Sequence, residues 1–262
     1  MLIDTHVHLN AQQFNDSLED VIKRALENDV SKMIVVGYDP ATNKKAIELA
    51  ERYDFIYATV GFHPTDSIKV TDEDKKLLLK QLTHKKVVGI GECGLDFYWD
   101  KEHIESQIEL FKWHIEQSLE LDLPLSIHMR DASEATYNVL SEYSNVKGIM
   151  HCYSGSEEMV PLFIDLGLHI SLGGPVTFKN GHKPKAVAKV VPIVRLLVET
   201  DAPYLSPHPF RGKQNEPSRV KLVAEEIARL RDVSYKEIAN QTTKNALELF
   251  NIKEWTRWKN YY

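Results

Sequence analysis

Cysteine is scarce: Cys93 and Cys152 are the only two in 262 residues. Two thiols in a chain of this length exclude a disulfide framework and predict a reducing compartment. Both are expected as small buried side chains that point away from their neighbours' ligand positions. Long apolar runs are lacking too. Nothing approaches the roughly 20 residues that cross a bilayer. The opening Met-Leu-Ile-Asp-Thr-His has neither the basic stretch nor the apolar run of a secretory signal. The chain therefore reads as cytoplasmic and not membrane-bound. Positive charge is also in deficit, with 32 Lys and Arg against 38 Asp and Glu, a net charge of −6. That excludes bulk coating of nucleic acid but leaves room for a local basic patch. Repeats, low-complexity tracts and linkers are missing as well, and nothing marks an obligate protein partner.

What is present is an alternation. Short apolar runs fall at residues 1–3, 33–36, 56–60, 87–90, 125–127, 148–150, 169–172 and 196–198. Continuous rather than alternating apolar character suits strands buried on both faces of a parallel sheet. Between them lie amphipathic segments at 17–28, 42–52, 73–82, 102–121, 133–143, 157–166, 184–191 and 218–230, and a last one at 234–250. In the first, Ser17 and Asp20 have the spacing of a capping box. Eight strand–helix units predict an α/β TIM (β/α)₈ barrel, with residues 1–262 as a single domain. The aromatic and basic tail 255–262 is expected to pack or fray.

The chemistry sits at the ends of the runs. His6 and His8 follow the first; residues two apart in extended chain point to one side, so both imidazoles converge while Val7 turns away. Glu92, His128, His151 and Asp201 follow four later runs. Active sites of barrels lie at the C-terminal ends of the strands. Buried His and Glu are costly unless paired or bound to metal, so their recurrence at one rim points to a shared metal site. The donors are nitrogen and oxygen, which suits zinc, manganese, nickel, iron or, more weakly, magnesium. Six ligands exceed the usual three of one catalytic zinc. Two ions sharing a carboxylate, Glu92, is the economical arrangement.

These residues stand in longer motifs: Asp-Thr-His-Val-His at 4–8, Gly-Phe-His-Pro at 61–64, Gly-Glu-Cys-Gly-Leu-Asp at 91–96, Ile-His-Met-Arg at 127–130, His-Cys-Tyr-Ser-Gly at 151–155, Gly-Gly-Pro-Val-Thr-Phe-Lys-Asn at 173–180, Glu-Thr-Asp-Ala-Pro-Tyr-Leu at 199–205 and Arg-Gly-Lys-Gln-Asn-Glu-Pro at 211–217. In this order, across nearly the whole chain, they resemble the TatD family of metal-dependent hydrolases within the amidohydrolase superfamily. The resemblance implies up to two divalent cations, one held by His6, His8, Glu92 and Asp201, the other by Glu92, His128 and His151. Tyr153 stands where the family pattern has Phe, which leaves the ligand His151 intact.

The expected reaction is hydrolysis by a metal-activated water, with Asp201 as ligand and proton acceptor and Glu92 as the ionised bridge. Arg130, two residues past His128, and Arg211 and Lys213, after the eighth strand, are the candidate substrate cations. His63 is either a substrate contact or a loop-packing residue, and Arg211 either a substrate contact or a surface ion pair. Lys179 reads equally as a phosphate contact or a solvated lysine. Glu216 either orients Arg211 or caps the next helix. DNA, as substrate of a deoxyribonuclease, follows from the resemblance and the basic rim. A small-molecule amidohydrolase or lactonase is the alternative, because one metal site serves both chemistries. A non-catalytic barrel is disfavoured by the complete ligand set.

Overall fold

All eight apolar runs become strands in a computed structural model that describes residues 1–253; the tail at 255–262 lies outside the described residues. The strands are β1 (Leu2–Val7), β2 (Val30–Val36), β3 (Ile56–Val60), β4 (Val87–Asp96), β5 (Leu125–Arg130), β6 (Gly148–Met150), β7 (Leu168–Leu172) and β8 (Leu196–Val198). Each pairs in parallel with the next in sequence, from β1 to β8. The helices are α1 (Leu18–Glu27), α2 (Pro40–Arg52), α3 (Asp72–Leu82), α4 (Ile104–Leu121), α5 (Ser133–Ser141), α6 (Val160–Asp165), α7 (His182–Val190), α8 (Val220–Arg231) and α9 (Tyr235–Leu249). None of them is long and apolar enough to cross a membrane. Backbone bonds from Asp201 N to His6 O (2.9 Å) and from His8 N to Ala202 O (2.8 Å) join the ends of β1 and β8. The expected (β/α)₈ barrel is what the chain forms.

Local chemistry sets the helix starts. Asp39 and Thr42 exchange backbone and side-chain bonds at the head of α2, and Thr71 and Asp74 do so at α3. The box expected at Ser17 and Asp20 is not made: Ser17 precedes α1, but at φ −131° and ψ 7° it makes no side-chain cap bond. An N-cap needs extended backbone to aim its oxygen at the first turn. The segment at 157–166 divides into a 3-10 turn, Glu157–Met159, and the short α6.

Two apolar layers hold the barrel. The larger lies between strands and helices. The smaller, inside the barrel, joins Ile3, Ile34, Val88, Ile149 and Leu197 to Ala246, Phe250 and Ile252 from α9 and its end. The apolar runs of β1, β2, β4, β6 and β8 thus serve both layers, and α9 closes the bottom.

Polar residues take over at the top because the strands break their own period. Ile3 belongs to the inner layer, whereas Leu2 and Val7 belong to the outer one. Positions 2 and 7 share a side only if the alternation slips, and a register shift lies between Asp4 and Val7. A second shift lies between Ile90 and Cys93, both in the outer layer. It falls at Gly91, whose φ of 137° is closed to other residues and whose added Cβ would meet Ser126 O at 2.4 Å. Both bulges turn ligand-type side chains inward, as bulges at barrel rims commonly do.

Candidate metal centre

Glu92 is the hub of the top face. Its Oε2 lies 3.7 Å from His6 Nε2 and 3.6 Å from His8 Nε2. Its Oε1 lies 2.9 Å from His128 Nδ1 and 3.1 Å from His151 Nε2. The carboxylate therefore divides two groups. In the first, His6 Nε2 and His8 Nε2 are 3.2 Å apart, and Asp201 Oδ1 is 3.8 Å from the one and 3.3 Å from the other. In the second, His128 Nδ1 and His151 Nε2 are 3.3 Å apart. Ligands about 2.1 Å from a tetrahedral ion stand about 3.4 Å from one another. Both groups have donors of the right kind at that spacing, and they fit divalent cations. All six residues named from the sequence are thus brought together.

Each imidazole is oriented from behind. His8 Nδ1 donates to Val36 O at 3.0 Å, which leaves Nε2 with its lone pair toward the cluster. His6 Nδ1 meets Ser126 Oγ at 3.1 Å. His128 Nε2 is 2.9 Å from Asp96 Oδ2. His151 Nδ1 is 3.4 Å from Glu199 Oε1, which also accepts from Cys152 N at 2.8 Å. Carboxylate behind imidazole is the usual support of a metal ligand.

The electrostatics agree. Burial opposes the charge of Glu92, but the nearby His151 charge and the bonds from His128, His151 and His6 hold its carboxyl well below the usual range. Burial likewise opposes a charge on His151, yet Glu92 and Glu199 push it well above the imidazole value. Burial also disfavours a charged Asp201, but the bond from His8 and the charges of His6, His8 and His151 bring it down.

Several assignments shift. His63 approaches Glu92 Oε1 to 3.7 Å and its ring lies 4.7 Å from that of His128; His63, Glu92 and His128 form a candidate metal-holding group, and so do His6, His151 and Glu199. Burial pushes His63 down to about 4, so it is neutral at pH 7. Glu216 neither orients Arg211 nor caps a helix with its side chain: it takes a bidentate bond from Arg24 (2.8–3.2 Å) and accepts from Ser218 Oγ at 2.6 Å. Arg211 instead bonds Asn180 Oδ1 at 3.2 Å and lies over Phe178. Arg130 is exposed at the rim, and Lys213 and Lys179 are exposed too. Cys93 is fully buried as expected, but Cys152 is half-buried, with the negative charges of Glu199, Asp201 and Glu92 helping burial to raise its thiol. Sequence reasoning missed Asp96 and Glu199 as supports, although both stand within quoted motifs. It also missed Asp4, whose carboxylate accepts from Thr200 N at 2.9 Å and from Thr200 Oγ1 at 2.5 Å.

An imidazole–carboxylate centre at the C-terminal mouth of a (β/α)₈ barrel defines a metal-dependent hydrolase. The chain belongs to the TatD related DNase family, whose sequence profile matches residues 3–251. It is 50% identical over 254 residues to the uncharacterized metal-dependent hydrolase YabD of Bacillus subtilis, covering 96% of this chain and 100% of that one. It is 32% identical to the 3'-5' ssDNA/RNA exonuclease TatD of Salmonella typhimurium, covering 96% and 99%. Among solved structures, the TatD homologue YJJV of Escherichia coli superposes with a TM-score of 0.91 at 31% identity, covering 96% of this chain and 98% of that one.

Proposed function

We propose that this chain hydrolyses phosphodiester bonds of single-stranded DNA with two divalent cations sharing Glu92. The observation that carries the two-ion reading is the division of the Glu92 carboxylate, Oε1 toward His128 and His151, Oε2 toward His6 and His8. His6, His8, Glu92 and Asp201 would hold one cation; Glu92, His128 and His151 would hold the other. Bound cations supply Lewis acidity toward the phosphoryl oxygens and a lowered pKa for attacking water. Asp201 turns Oδ1 to His6 and His8, and its Oδ2 takes the proton of that water. Glu92 stays ionised throughout, because the imidazoles of His6, His8, His63, His128 and His151 all lie within 3.7 Å of its carboxylate. Arg130, Arg211 and Lys213 attract the phosphates, and neutral His63 borders the reacting phosphoryl group. Cys93 and Cys152 are both free, and we place the enzyme in the cytoplasm, acting as one catalytic unit.

The rim cations favour a phosphate ester over a neutral lactone or amide. The deciding experiment offers manganese-loaded protein labelled single-stranded DNA beside a panel of small esters, lactones and amides. DNA cleavage that disappears in Glu92→Ala is the expected result. Turnover of the small panel alone would replace this reading with an amidohydrolase.

A further inference from the structure

Beyond Glu92, β4 continues to Asp96 and turns. Asp96 Oδ1 accepts the backbone N–H groups of Tyr98 (2.9 Å) and Trp99 (2.8 Å), which fastens the turn from below. The two rings stand edge to face, with centroids 4.9 Å apart and an interplanar angle of 87°. Arg130, from the end of β5, lays its guanidinium 4.1 Å from the Tyr98 ring centroid and 5.4 Å from that of Trp99. Even so, Tyr98 is 50% exposed and Trp99 68% exposed. Single exposed apolar residues need no explanation. Here two adjacent aromatics are braced from two sides and still left open.

They border a cavity of about 550 Å³ whose lining includes His63, Thr65, Asp100 and Glu102. His63 also lies 3.7 Å from Glu92 Oε1, so the cavity adjoins the metal centre. Lys101 and His103 line it too, but Asp100, 3.0 Å from His103 Nδ1, and Glu102 leave it without an excess of positive charge. A second cavity, of about 500 Å³, is lined by Phe178, Arg211 and Lys213 and has the cations that a backbone needs. The Tyr98–Trp99 pair and the Arg211–Lys213 pair thus line different cavities.

We propose that the Tyr98–Trp99 cavity is a stacking subsite for one unpaired nucleobase next to the scissile phosphodiester. Flat aromatic faces take any base, because every base has a π-face. A base inside a duplex already has both faces stacked, so the subsite selects single strands and frayed ends. The inference rests on the nuclease reading above and adds to it a position along the strand.

The test uses manganese-loaded enzyme, a single-stranded oligonucleotide, and a series of the same oligonucleotide with one abasic residue at each successive position. Trp99→Ala raises KM about tenfold or more, within the range of single-base stacking losses, while kcat changes much less. Trp99→Phe restores KM to within about threefold. At one position the abasic residue costs the wild type as much as Trp99→Ala does, and the two losses do not add. Binding of a cleavage-resistant phosphorothioate oligothymidylate quenches tryptophan fluorescence, and most of the quench is lost in Trp99→Phe. An unchanged KM in folded Trp99→Ala, or additive losses at every abasic position, would overturn the subsite while leaving the nuclease standing. Wild-type protein that cleaves DNA no better than Glu92→Ala sinks the nuclease reading, and the subsite with it.

Discussion

Asp96 Oδ2 stands 2.9 Å from His128 Nε2, and the other oxygen of the same carboxylate pins the Tyr98–Trp99 turn. Burial disfavours its charge, but the bond from His128, the bonds from Trp99 N and Tyr98 N, and the His128 charge hold it below the usual carboxylate range. Asp96 is a positioning residue: it fixes which His128 nitrogen faces Glu92. Asp96→Asn keeps an acceptor for the two backbone N–H groups but loses the charge behind His128. Such supports are worth about 10- to 100-fold in metal affinity. Competition with a fluorescent chelator is expected to show a loss of that size, with KM for DNA nearly unchanged. An affinity within threefold of wild type would mean that packing alone orients His128.

Glu92 touches both halves of the centre, so Glu92→Ala should affect both cations. Metal analysis of active wild-type protein is expected to give more than one divalent ion per chain, and of Glu92→Ala fewer than one. Because cations bind the folded state, saturation near 100 Kd adds about 2.7 kcal/mol. For a chain of this size that corresponds to a melting temperature about 5–10 °C higher. Stripping metal with a chelator should remove this increment from the wild type and change Glu92→Ala little. A tight limit of one ion at full activity would contradict the shared carboxylate.

The barrel was legible because a strand buried on both faces needs no polar residues, and eight such runs stand clear of the amphipathic segments between them. The six clustered donors were legible because they sit where those runs end. Their supports were not, because the pairs are distant in sequence. His6 and Ser126 are 120 residues apart, and Asp4 and Thr200 are 196 apart. Nor do the inward turns of His6 and Glu92 follow from a period of two, since each depends on a bulge that slips the register. The role of Glu216 was misread for the same reason: Arg24, its partner, lies 192 residues away on α1.

Acid stability offers a test of the frame behind the site. His114, on α4, is fully buried; it accepts Phe62 N–H at Nε2 (3.2 Å) and donates from Nδ1 to Leu110 O (2.8 Å). Burial pushes it down to about 3, against an ordinary value of 6.5. The unfolded chain therefore takes up a proton first as pH falls. The stabilisation is complete above pH 6.5 and is lost progressively toward pH 3, up to a few kcal/mol in all. Urea melts at pH 7 and pH 4.5 should show this loss, and His114→Gln, with an acceptor still facing Phe62 N–H, should show less of it. Equal acid sensitivity in both proteins would assign the loss to other groups.

Asp201 has its reach to His8 set by the backbone that carries it. It sits at φ 55°, a left-handed conformation that Asp tolerates better than most residues. The turn before it hangs on Asp4, which takes both the N–H and the hydroxyl of Thr200, while Asn215 Nδ2 donates to Thr200 O at 2.8 Å. Asp4→Ala would leave two buried donors without an acceptor, at about 1–3 kcal/mol each. It would also free the turn, and a displacement of about 1 Å at a reacting group is enough to cost about 100-fold in rate. Asp4→Asn retains one acceptor and the volume. The expected order in kcat is therefore wild type, then Asp4→Asn, then Asp4→Ala, with the alanine variant at least tenfold below wild type and still metal-loaded. Loss of melting temperature with kcat unchanged would show instead that the bond from Asp201 N to His6 O suffices to hold Asp201 in place.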